Sequence, residues 1–60
     1  MFKVFANDDL LATFKWDQDA FSFARGQRMR YGVDNLRIEV PDELHWMFGT
    51  IIKVSELGEW

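Results

Sequence analysis

Residues 20–31 read AFSFARGQRMRY, and arginines interleave there with aromatic rings. Two chemistries use that mixture. A guanidinium fork grips carboxylates or phosphates through two parallel hydrogen bonds. An aromatic ring stacks on a nucleobase or anchors in a pocket on a protein partner. All four arginines, Arg25, Arg28, Arg30 and Arg37, fall between residues 25 and 37. The three lysines, Lys3, Lys15 and Lys53, fall outside that window. This window is the most distinctive feature of the chain, and the first candidate for a binding surface.

Catalytic chemistry finds little support. The chain has no cysteine, so disulfides, thiolate nucleophiles and thiolate metal sites are excluded. It has no G-x-S-x-G elbow, no H-E-x-x-H helix and no phosphate-binding glycine loop. The only histidine, His45, reads as a surface or half-buried helix residue. The oxygen-rich stretches "NDD" (7–9) and "DQD" (17–19) do not match a dedicated calcium loop. They read as turns, where Asp and Asn bond their own backbone. The expectation is a non-enzymatic protein with no cofactor and no bound metal.

Sixty residues allow one compact domain, spanning 1–60, with a narrow stability margin. Six Phe, three Trp and one Tyr are many rings for so small an interior. Most must fill the core, and one or two Trp are expected at an interface. Trp46 and the chain-terminal Trp60 are the candidates, since chain ends seldom reach the centre of a core. Charge is segregated. Asp8, Asp9, Asp17 and Asp19 outweigh Lys3 and Lys15 in the first 24 residues. The arginines outweigh Asp34 in the middle, and five acids outweigh Lys53 after residue 37. The net charge is −3 and the isoelectric point about 4.8, far from the basic footprint of a nucleic-acid binder. No secretory h-region or membrane-length apolar run is visible, which predicts a cytoplasmic protein without membrane contact. The initial Met is what an intact short reading frame would show.

Turn-favouring residues recur every 8–10 positions, at 7–9, 17–19, 25–27, 33–35 and 41–43, a spacing that predicts a mainly β domain. "FKVFA" (2–6), "LLATFKW" (10–16), "NLRIEV" (35–40) and "TIIKV" (50–54) read as strands. Leu10, Ala12, Phe14 and Trp16 would share one face of the second. Leu36, Ile38 and Val40 would point inward from the third, with Arg37 and Glu39 outward. "PDELHWMFG" (41–49) reads as a short helix near 42–48, with Pro41 at its start, Gly49 at its end and Leu44, Met47 and Phe48 on one face.

Residues 17–31 support two readings. A hairpin with Arg25-Gly26-Gln27 as its loop pairs Phe23 with Met29 and Phe21 with Tyr31, and uses Gly26 in the turn. A helix from about 18 to 31 has acids at its start, arginines at its end and Gly32 as its stop, but places Gly26 inside it. The hairpin separates apolar from polar residues better. The preferred architecture is therefore a small antiparallel sheet or barrel of five to six short strands with one short helix. Its strand-and-turn order looks like that of SH3-like or OB-like barrels, an architecture that hosts many unrelated functions. The alternative is an α+β fold, the helix packed on an antiparallel sheet.

These features favour a small protein-interaction module that docks on a larger protein. It would act as a regulator or inhibitor of the phage- or mobile-element-encoded type, or self-associate as a homo-oligomer. The partner-binding residues expected are Arg25, Arg28, Arg30 and Arg37, with Trp46 and Trp60 as apolar anchors. The alternative is a small β domain that binds single-stranded nucleic acid. The hairpin register weakens it, because Phe21, Phe23, Met29 and Tyr31 would face the core, away from the arginines.

Overall fold

A computed structural model describes residues 1–56 and shows an α+β fold in two layers. β1 (Phe2–Ala6) and β2 (Asp9–Phe14) form a hairpin. Helix α1 (Asp17–Tyr31) then crosses to β3 (Leu36–Glu39). A 3-10 turn at Asp42–Leu44 leads into the short helix α2 (His45–Phe48), and β4 (Ile51–Lys53) completes the sheet. The strand order is β2-β1-β3-β4, and each neighbouring pair is antiparallel.

The preference for a mainly β fold is therefore corrected. The sheet has four strands among the described residues, no barrel is formed, and residues 17–31 are helical. A four-stranded sheet must bury one face against another layer, and no second sheet is present among the described residues to do it. A 15-residue helix about 22 Å long can span that face. Ala20 and Ala24, at i and i+4, are fully buried and let the helix axis approach the strands closely. Asp17 and Asp19 in the first turn and Arg28 and Arg30 in the last complement the helix dipole. Gly32 ends the helix at φ +81°, its N–H donating to the Arg28 carbonyl at 2.8 Å. Met29 points away from the sheet and is 90 % exposed.

The core consists of Phe2, Val4 and Ala6 from β1, Leu36 and Ile38 from β3, Val40, Val54 and the two helix alanines. Three edge-on or tilted ring pairs close its ends. Phe14 of β2 lies 5.3 Å from Phe23 of α1, and Phe48 of α2 lies 5.9 Å from Phe2 and 6.2 Å from Phe21. The inward set Leu36, Ile38 and Val40 is buried as the alternation predicts.

The second strand departs from simple alternation. Phe5 pairs with Leu10 and Val4 with Ala12, so Leu11 is an extra residue in β2, a β-bulge. Leu10 therefore lies with Phe5 on the helix-free face. Ala12 and Phe14 stay on the helix side, and Leu11 packs on the core. Trp16, expected to end this strand on the face of Phe14, instead precedes α1 and is 62 % exposed.

Candidate functional site

The four arginines do not form one patch. Around α1, at 3.6 residues per turn, Arg25 and Arg28 continue the stripe begun by Phe21, while Arg30 lies about 140–160° away from them. Arg30 sits with its guanidinium carbon 5.8 Å from the Tyr31 ring centroid. Arg37 is on another layer. It points from β3 to the face of the sheet that α1 does not cover, paired across strands with Phe5 and Lys53. Helical periodicity scatters what the sequence lists side by side. Of the two tryptophans named from sequence, Trp46 is 78 % exposed on α2, and Trp60 lies outside the described residues.

A second cluster gathers at one end of the molecule. A groove runs between the start of α1 and α2, lined by Phe2, Trp16, Leu44, Met47 and Phe48, with Lys15 and Asp17 at its rim. Lys15 and Leu44 also line an adjoining hollow with Met1, Pro41 and Glu43. Met1, Trp16 and Met47 are all more than half exposed. Lys15 holds its ammonium 5.4 Å from the Trp16 ring centroid. Trp46 occupies the same helical turn as Met47. The sequence grouping of Leu44, Met47 and Phe48 on one face is realised, because all three line this groove. Trp16, Met1 and Lys15 escaped the sequence reading. Their signal was position. Trp16 sits between a strand and a helix N-terminus, where one flank must meet solvent.

His45 has a structural partner. Its Nε2 donates to the Val40 carbonyl at 2.9 Å and lies 3.6 Å from Asp42 Oδ1. This ties α2 back to the segment that follows β3. Among the described residues no group of three or more His, Asp or Glu side chains converges in a way that could hold a metal ion. No helix among them is long and apolar enough to cross a membrane. "DQD" (17–19) is the first turn of α1 rather than a loop, and Asn7 and Asp8 form the β1–β2 turn. Asn7 takes φ 55°, a conformation asparagine tolerates better than most residues.

Comparison with known protein families, with curated proteins and with solved structures finds no match to this chain. The functional reading therefore rests on the geometry above.

Proposed function

We propose that this protein is a non-enzymatic interaction module, a small regulator or inhibitor of the phage- or mobile-element type, which occludes or tethers a larger protein. The observation that carries the reading is the exposed apolar end. Trp16 and Met47 stand in solvent along a groove whose floor is Phe2, Leu44 and Phe48, Met1 borders the adjoining hollow, and Trp46 is exposed beside Met47 on α2. A 60-residue domain has little apolar surface to spare, so leaving two tryptophans and two methionines outside the core calls for a partner. Tryptophan is the commonest hot-spot anchor, and methionine adapts its shape to a partner surface. Arg25 and Arg28 extend the footprint along α1, because they follow Phe21, which packs on Phe48 at the groove. Arg30 and Arg37 lie outside this footprint.

The test is a tagged pull-down from host lysate, with and without nuclease, comparing the native chain with a Trp16→Ala/Trp46→Ala double variant. One dominant protein is expected to survive nuclease and to be lost with the variant, each anchor contributing about 2 kcal/mol or more. Recovery that vanishes with nuclease would replace this reading with the single-stranded nucleic-acid alternative. Equal recovery by the variant would remove the groove.

A further inference from the structure

The face of the sheet away from α1 has a composition of its own. Two cross-strand rows cover it. One runs Leu10, Phe5, Arg37, Lys53, and the other Thr13, Lys3, Glu39, Ile51. Three cations thus stand against one acid, on a chain whose net charge is −3. Leu10 and Ile51, on the two edge strands, are 52 % and 47 % exposed. No described element packs across this face.

Arg37 is held ready at its centre. Its guanidinium carbon lies 4.6 Å from the Phe5 ring centroid, and its Nη1 donates to the Asn7 carbonyl. Asn7 is fixed in turn by its own N–H, which donates to the Asn35 carbonyl at 2.8 Å. Beside this guanidinium is a hollow lined by Asn7, Asp34, Asn35, Ile51 and Lys53. Two cations face one carboxylate there, so the hollow is complementary to a single negative charge. A guanidinium fixed in advance loses less entropy on pairing with a carboxylate than a mobile one.

We propose that this face docks an acidic segment of a protein partner, in an extended conformation, with one carboxylate seated between Arg37 and Lys53 and apolar side chains on Leu10 and Ile51. The midpoint of Arg37 and Lys53 lies about 2.5 strand spacings, about 12 Å, from Leu10 in the same row, and Ile51 lies two residues, about 7 Å, along β4 from Lys53. Five extended residues span about 13 Å from first to last, and alternate residues face the same way. An apolar–x–x–x–acid–x–apolar segment therefore places its acid between Arg37 and Lys53 and its two apolar side chains on Leu10 and Ile51. A nucleic-acid strand fits less well. Among the described residues the only ring on the face, Phe5, is already covered by Arg37, so it offers no free stacking surface. Glu39 and the net negative charge of the chain also oppose a phosphate array.

The test titrates the isotope-labelled full chain with a capped peptide, Leu-Ser-Ser-Ser-Glu-Ser-Leu, and follows backbone amide shifts by NMR. Saturable shifts are expected at Phe5, Arg37, Ile51 and Lys53. The same peptide with lysine in place of glutamate should leave them unmoved. Lys53→Glu, at an exposed edge position, should weaken binding by about tenfold or more, because it places like charges together. Arg37→Gln should do the same, with its fold checked by circular dichroism. Trp16→Ala/Trp46→Ala should bind the peptide unchanged, so failure here is separable from failure of the groove. Equal shifts from both peptides, or no saturable shift from the acidic one, would overturn the proposal. So would tighter binding of a short oligothymidylate to the same amides, which would assign the face to single-stranded nucleic acid.

Discussion

Replacing Gly26 by alanine should raise the stability of this protein. Gly26 lies inside α1, on its solvent side, and a Cβ built there meets nothing within 4 Å. Its φ is not among the positive values, which among the described glycines belong to Gly32 and Gly49. Alanine therefore enters a helical site without strain. It is favoured over glycine in a helix interior by about 0.8–1.0 kcal/mol, partly because glycine gains more freedom in the unfolded chain. In a domain of this size 1 kcal/mol moves the thermal midpoint by about 4–8 °C, so Gly26→Ala should raise Tm by about 3–8 °C. The same change at Gly32 should lower it. There φ is +81°, and an L-residue in left-handed backbone loses about 1–2 kcal/mol. The assay is thermal melting by far-UV circular dichroism on both single variants and the double. The two sites are about 9 Å apart along the helix, so their effects should nearly add, and the double variant should melt at or below the native Tm. The sign at Gly26 is decisive. In a hairpin this residue would occupy the loop, where alanine is unfavourable. A lowered Tm for Gly26→Ala would therefore refute the helix and the packing argument built on it.

Two further substitutions probe the layer contact. Ile38→Ala, on a central strand and fully buried, should remove about 2–5 kcal/mol. A 60-residue domain holds roughly 3–9 kcal/mol in all, so urea denaturation should find this variant mostly unfolded or close to it; a midpoint shift equal to that of exposed Ile51→Ala would contradict the core assignment. Ala24→Leu should destabilise by about 1–3 kcal/mol, because the helix can admit the added volume only by lifting from β1 and β3; a stabilised variant would mean that the helix does not lie close on the sheet.

Strand positions were legible wherever burial follows a simple period. β1, β3, β4 and α2 fall within the segments read from alternation and turn residues, and Arg37 and Glu39 point outward as expected. Two elements broke the pattern. In α1 the fully buried residues are Ala20 and Ala24, neither strongly apolar, so the helical stripe is faint. Phe21 and Phe23 flank that stripe, two residues apart with Ser22 between them, and so imitate strand alternation. In β2 a single inserted residue, Leu11, sends Leu10 to the opposite face from Ala12 and Phe14. A bulge carries no composition of its own, since any residue can be the extra one.

The same geometry changes what the arginine window means. Sequence proximity made Arg25, Arg28, Arg30 and Arg37 one candidate surface, and a strand or hairpin would have kept Arg28 and Arg30 together. A helix rotates about 100° per residue, so Arg28 and Arg30 diverge, and Arg37 passes to the other side of the sheet. The four do not share one face. The proposed groove contact takes Arg25 and Arg28, whereas Arg37 shares its sheet face with Lys3 and Lys53, two lysines remote in sequence. Charge reversal at Arg28 and at Arg37 should therefore disrupt different contacts. A variant that loses one while keeping the other would separate the two faces.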